Sequence, residues 1–294
     1  MNLLFELIKN TRPLRVLYHI GLFFIGGGIS ILYSGNFSQI SFFEMFLIIF
    51  SIILSWVSSV FLNDSEDFNI DNISNKDRPI QKGILTIKES FYISIFLASL
   101  SIILALIIDI KIAILLVVYN IISVFYNKKP FRLKRILFFS TFLASLASFV
   151  IILIGFISYS NYKWTSVLEF PLNLFFLFLI TYTISLPIKD LKDYAGDKED
   201  GIKTVPVVFG IKKGRMIIGI LIMISFLLGA FFTNFDKMIF ISIIFGLVAF
   251  FILNLKMNNK FLFDSIKILN YIFILTFIYG LILVYTVYIK SLPF

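Results

Sequence analysis

The stretch NDSEDFNID, Asn63 to Asp71, follows directly on a mostly apolar run covering residues 41–62. It places Asn63, Asp64, Glu66, Asp67 and Asp71 where a chain emerging from hydrocarbon tolerates few charges. The surroundings make the acids conspicuous: 59% of the 294 residues are hydrophobic, 15% are charged, and the mean hydropathy is +0.98. That composition lies outside the soluble globular range and describes an integral membrane protein. Little sequence is left for a separate water-soluble core, so one polytopic membrane domain is expected over 1–294.

Apolar runs long enough to cross about 30 Å of hydrocarbon occur at 14–34, 41–62, 88–108, 111–126, 135–158, 169–188, 214–234, 237–255 and 267–289. They predict an all-α bundle of nine transmembrane helices. The separators around Asp109 (DIK) and Asp236 (NFDK) are short enough to be tight turns or kinks. Charge supplies an independent reading, because cytoplasmic loops collect Lys and Arg. With the N-terminus and every second loop on one side, that side receives all of the 26 Lys and Arg except Lys111, Lys163, Lys237 and Lys290. The asymmetry predicts nine crossings, a cytoplasmic N-terminus and an external C-terminus. It also accounts for the net charge of +9 without a nucleic-acid partner.

The chain has no Cys, which excludes disulfides, thiolate metal sites and Cys nucleophiles. Its one His, His19, lies in the first apolar run and reads as a packing residue. No cleavable signal peptide is expected, since Arg12, Arg15 and His19 interrupt the N-terminal region.

More than half of the 17 acids fall in two short stretches: Asp64, Glu66, Asp67, Asp71 and Asp77, then Asp190, Asp193, Asp197, Glu199 and Asp200. Both follow an even-numbered apolar run and both carry the same spacing, Asp64-x2-Asp67-x3-Asp71 and Asp190-x2-Asp193-x3-Asp197. An offset of four helices restores chain direction, as in a parallel duplication. On a continuing helix the spacing i, i+3, i+7 gathers three carboxylates within roughly a 60° arc. Unpaired, they would repel and raise one another's pKa, so a cation is expected among them. Oxygen ligands without Cys or clustered His point to Mg2+, which takes one or two carboxylates, keeps waters and is completed by substrate phosphates. Loop acids commonly only solvate helix ends, but that does not produce the same spacing twice on one side. Nearby cations, Arg78 and Lys82 in DRPIQKG and the segment YNKKPFRLKR from Tyr126 to Arg135, suit the growing charge of a leaving diphosphate.

These residues resemble the UbiA-type intramembrane prenyltransferase superfamily. Its first aspartate-rich motif is matched by Asn63, Asp64, Asp67 and Asp71 with Arg78-Pro79 after it, and its tyrosine-to-lysine loop by Tyr126, Pro130, Leu133 and Lys134. The second motif is matched by KDLKDYAGDKEDG with Asp190, Asp193 and Asp197, followed by GIKTVPVVFG. The resemblance implies a bundle around a central cavity, with both motifs at its cytoplasmic end. It implies Mg2+ bound by Asn63, Asp64, Asp67, Asp71, Asp190, Asp193 and Asp197. A polyprenyl diphosphate would be held by Arg78, Lys134, Lys82 and Lys203, with Lys134, Arg78, Tyr126 and Asp71 serving catalysis on a lipophilic acceptor. Glu66 is an additional acid in the first motif. The second motif, with Gly196 before Asp197 and Lys189 before Asp190, resembles members acting on archaeal glycerol-lipid precursors, chlorophyllides or homogentisate. Geranylgeranylglyceryl phosphate is the favoured acceptor, with an aromatic acceptor of quinone, tocopherol or chlorophyll type as the alternative. A cation-coupled transporter is the rival of another class, but it would hold its acids near the bilayer midplane rather than at one surface.

The 37 Phe and 13 Tyr suit either a prenyl tunnel or a lipid-facing surface. Pro187, just ahead of the second motif, is expected to break or kink its helix.

Overall fold

The apolar runs become helices wherever the sequence supplies a start signal. At residues 41–44, Ser41 accepts from the Glu44 backbone and Glu44 returns to the Ser41 backbone; Thr86 and Glu89 do the same at the next long helix. The computed structural model describes residues 3–34, 39–162, 164–233, 236–257 and 260–291. Lys163 and the chain end at Phe294, both used in the topology argument, lie outside the described residues.

The chain divides into two compact units, Met1–Lys134 with Leu146–Pro171, and Arg135–Ser145 with Leu172–Phe294. The helix α7 (Phe139–Ser158) has residues in each. The first unit contains α1 (Leu3–Asn10), α2 (Pro13–Ser34), α3 (Phe42–Glu66), α4 (Phe68–Ser74), α5 (Ile87–Ile108), α6 (Ile110–Asn127) and α8 (Trp164–Glu169). Here α3 is central, packing against α2, α5 and α6. Small residues make the close approach possible: Ser55 and Ser101 hydroxyls meet at 2.7 Å, Ser101 also donates to the Ser51 carbonyl at 2.8 Å, and Ser58 donates to the Ser94 carbonyl at 2.8 Å. Where α2 meets α7, a Cβ on Gly26 would stand 1.9 Å from the Ile152 carbonyl oxygen, so only glycine fits.

Asp109 settles the DIK separator. Extended at φ −161° and ψ 137°, it ends α5 and caps α6 by accepting from the Lys111 backbone at 2.7 Å, so two helices pack as neighbours instead of one kinked helix. His19 is a packing residue as read from the sequence. Its Nδ1–H donates to the Arg15 carbonyl at 2.6 Å, leaving Nε2 to face the Tyr119 hydroxyl at 3.3 Å, and its ring lies 4.5 Å from that of Trp56.

The second unit contains α9 (Leu172–Ser185), α10 (Asp190–Glu199), α11 (Val205–Phe209), α12 (Ile211–Thr233), α13 (Asp236–Asn254) and α14 (Ser265–Ser291). Ile218, Ile222, Phe226, Ala249, Leu253 and Ile268 form its core. Pro187 does interrupt the helix it sits in: α9 ends at Ser185, a 3-10 turn covers Leu186–Lys189, and α10 resumes at Asp190. An antiparallel ladder of two residues per strand, β1 (Lys256–Met257) and β2 (Lys260–Phe261), is the one strand pairing among the described residues. Buried Arg215 ties this turn down, donating to the carbonyls of Leu253 and Phe263 with its guanidinium 4.0 Å from the Phe261 ring.

Each of the nine apolar runs contains a helix among its described residues. Eight described helices are long and apolar enough to cross a membrane, and the apolar stretch Met238–Asn254 of α13 is shorter. The short helices α1, α4, α8 and α11 were not among the sequence expectations, because none contains an apolar run of spanning length.

Candidate active site

In the first unit the motif bridges two helices. Asn63 and Asp64 occupy the last turn of α3, Asp67 sits at the junction with φ −100° and ψ 15°, and Asp71 lies on α4. The helical hydrogen-bond pattern runs through the junction, Asp67 N–H to the Asn63 carbonyl and Asp71 N–H to the Asp67 carbonyl, both at 2.9 Å. The motif side chains therefore stay on one side, as the i, i+3, i+7 spacing anticipated.

Each of these carboxylates meets a cation. Arg78 Nη1 donates to Asp64 Oδ1 at 2.7 Å and to Asp71 Oδ2, and lies 3.5 Å from Asn63 Oδ1. Lys134, buried on the 3-10 turn Leu133–Arg135, donates to Asp67 Oδ2 at 2.5 Å and reaches Asn127 Oδ1 at 3.4 Å. Arg132 Nη2 takes the other Asp67 oxygen at 2.9 Å. Asn63 Nδ2 closes the network, donating to Asp67 at 2.8 Å and to Asn127 at 2.9 Å. From the N-terminal segment, Asn10 donates to Asp64 Oδ2 at 2.8 Å and Arg12 to Asp64 Oδ1 at 3.2 Å, while the Trp56 indole N–H holds the Thr11 carbonyl at 2.9 Å.

Burial works against charge on Asp67, but Lys134 and Arg132 overcome it and hold this carboxyl below the usual carboxylate range. Asp71 goes the other way. Burial, helped by the charges of Asp67 and Asp64, outweighs Arg78 and pushes its carboxyl up to about 7.

In the second unit, Asp190, Asp193 and Asp197 share α10, with Asp190 and Asp197 buried and Asp193 beside Lys192 at 4.0 Å. Asp190 makes no side-chain hydrogen bond or ion pair among the described residues. Arg135 pairs instead with Asp200 at 2.6 Å, beyond the motif, and its carbonyl accepts from the Lys203 backbone at 3.2 Å. Gly201, at φ +70°, turns the chain away after α10.

The donor set is entirely oxygen, which fits a hard divalent cation. Among the described residues no three acidic or His side chains converge closely enough to hold a metal alone. Mg2+ does not require that, since it binds through one or two carboxylates with water and phosphate completing the shell. The places where Arg78 Nη1 and Lys134 Nζ stand among oxygens mark where the fold demands positive charge.

A family model described as the UbiA prenyltransferase family matches residues 21–261. The chain belongs to that family. Among its relatives, a digeranylgeranylglyceryl phosphate synthase of Methanosphaera stadtmanae is 29% identical over 185 residues, 62% of this chain and 65% of that protein. A 2-acyl-4-prenylphloroglucinol 6-prenyltransferase of Humulus lupulus is 32% identical over 160 residues, 51% of this chain and 38% of that protein. The fold is similar to a UbiA homolog from Archaeoglobus fulgidus solved with DMAPP and Mg2+, at a TM-score of 0.67 and 19% identity over 96% of this chain and 98% of that one. The match to the Methanosphaera protein thus spans just under two thirds of its length.

Of the residues expected at a UbiA-type site, the structure brings Asn63, Asp64, Asp67, Asp71, Arg78 and Lys134 together. Tyr126 stands beside them, its ring 5.9 Å from Lys134 Nζ. Lys82 is engaged elsewhere, ion-paired with Glu6 of α1 at 2.8 Å. Lys203 is exposed and makes no ion pair among the described residues. Sequence reasoning missed Asn10, Arg12, Asn127 and Arg132 as site residues. Arg12 was counted only as a topology charge, Arg132 was one undistinguished cation of the segment YNKKPFRLKR, and a lone Asn near a helix end carries no pattern to find.

Proposed function

We propose that this protein is a Mg2+-dependent prenyltransferase that moves a prenyl group from a polyprenyl diphosphate to geranylgeranylglyceryl phosphate. The observation that carries the reading is the cluster of half-buried Arg78 with buried Arg132 and Lys134 among Asn63, Asp64, Asp67 and Asp71, a charge arrangement suited to a metal-bound diphosphate. The family membership, the Methanosphaera synthase and the Mg2+-bound Archaeoglobus homolog support it. In this reading Asn63, Asp64, Asp67 and Asp71, together with Asp190, Asp193 and Asp197, are the metal-binding residues. Mg2+ supplies charge neutralisation of the diphosphate. Arg78 and Lys134 stabilise the charge that grows on the leaving oxygen as the allylic C–O bond breaks. Tyr126 flanks Lys134. The acceptor hydroxyl oxygen forms the new bond to the allylic carbon, and its proton passes to Asp71, to another motif carboxylate or to water.

The same reading takes the chain as one membrane domain with nine crossings, its N-terminus and both motifs cytoplasmic, supported by the Lys and Arg asymmetry. An aromatic acceptor is the second reading, favoured by the Humulus relative. Purified protein given Mg2+, geranylgeranyl diphosphate and, in separate reactions, geranylgeranylglyceryl phosphate, 4-hydroxybenzoate, homogentisate or a naphthoate, with products weighed by mass spectrometry, distinguishes them. Prenylation of the glyceryl phosphate is the expected result, and prenylation of an aromatic ring alone rejects that acceptor.

A further inference from the structure

Within the first unit, α5 and α6 enclose an open cavity of about 240 Å3 whose floor is α3. Its walls include Phe91, Ile95 and Ile102 of α5 and Ser123 and Val124 of α6, with Lys128 at the rim. Ile95 and Val124 are exposed, so the groove opens on the outer face of the unit. Phe91 and Ile102 lie three turns apart on α5, a groove of roughly 16 Å at helical rise. That is about half the hydrocarbon thickness, the depth of one leaflet measured from the Lys128 end.

Two groups in this groove lack a polar partner among the described residues. Lys128, the first residue after α6, has its ammonium 4.3 Å from the Phe91 ring centroid and no carboxylate partner among the described residues. Arg78, Arg132 and Lys134 of the same unit, by contrast, are all ion-paired. The Ser123 hydroxyl is shielded and without a hydrogen-bond partner, whereas Ser58 donates to the Ser94 carbonyl and Asn120 to Ser55 and the Leu116 carbonyl.

We infer that the groove binds an anionic phospholipid of the surrounding bilayer, one chain lying along α5 and its phosphate on Lys128. A helix about 10 Å across does not fit a space of this volume, which excludes a protein segment as the occupant. The volume also lies below the range of about 300–1,000 Å3 typical of drug-sized ligands, so one chain enters and the other remains in the bilayer. An unpaired ammonium at the rim of an apolar slot between membrane helices selects a phosphate without a compensating cation over a zwitterionic headgroup.

Native mass spectrometry of the full-length protein, released from mixed micelles of phosphatidylglycerol and phosphatidylcholine, tests this. The wild-type protein is expected to retain phosphatidylglycerol preferentially. Lys128→Gln should lower that retention about tenfold, Lys128→Arg should preserve it, and Ala98→Phe, which fills the groove, should abolish it. Because Lys128 sits at the rim, its variants decide the matter even if Ala98→Phe fails to fold. Equal retention of the two lipids by the wild type, or unchanged retention in Lys128→Gln, overturns the inference. So does cross-linking of Val124→Cys in this otherwise cysteine-free chain into dimers, which would make the face a contact between copies.

Discussion

The two acid motifs share a spacing and differ in what neutralises them. In the first unit Asp64, Asp67 and Asp71 are each met by Arg or Lys of the same unit, and Asn10, Asn63 and Asn127 extend the network. In the second, Asp190 is buried on α10 without an ion pair among the described residues, while Arg135, the arginine nearest in chain order to Lys134, is spent on Asp200. Identical patterns of acids thus meet different surroundings: every carboxylate of the first motif is ion-paired within its unit, whereas in the second Asp193 stands beside Lys192 and Asp190 is buried without an ion pair among the described residues.

The largest expected effects are on turnover. Asp67→Ala and Asp193→Ala should each lower the rate by a hundredfold or more, about 3 kcal/mol of lost stabilisation of the developing charge. If only one of them does so, the two motifs are not equivalent partners in the chemistry. Stability should separate them next. Asp67→Asn leaves Lys134 and Arg132 buried without their carboxylate, a loss on the order of 3–5 kcal/mol, whereas Asp190→Asn removes an unpaired buried charge and should leave thermal unfolding in metal-free buffer unchanged or raise its midpoint. Equal losses in the two variants would erase the contrast. A smaller effect belongs to pH. Asp71 titrates near 7 in the folded protein, against about 4 for a free carboxyl. Between those values the folded state holds a proton that the unfolded chain has released, so without divalent cation the Asp71 contribution to stability falls as pH rises from about 4 to 7. Asp71→Asn should flatten that slope, and an unaltered slope would assign it elsewhere. The smallest effect is expected at Arg12, a third of whose side chain is exposed beside Asp64. Arg12→Ala should shift unfolding by at most about 1 kcal/mol.

Much of this was legible in the sequence, for physical reasons that differ from residue to residue. Helix positions followed from apolar length, because a bilayer leaves helix as the economical way to satisfy the backbone. The convergence of Asp64 and Asp71 on Arg78 followed from helical periodicity continued across Asp67. The cations were harder. Arg132 and Lys134 sit in one short loop with Lys128 and Lys129, and the loop's charge reads equally as topology. Only the fold shows Arg132 and Lys134 on Asp67 and Lys128 turned to Phe91. Lys82 looked like a phosphate contact because it follows Arg78, yet it pairs with Glu6 on a short N-terminal helix that no run of spanning length announced.

The most direct test is product formation by the purified full-length protein from geranylgeranyl diphosphate and geranylgeranylglyceryl phosphate, with EDTA and then with Mg2+ restored, for the wild type, Asp67→Ala and Asp193→Ala. The account predicts prenylated glyceryl phosphate and released diphosphate only for the wild type and only with Mg2+. Turnover that survives EDTA, or that proceeds at the wild-type rate in both variants, would contradict it.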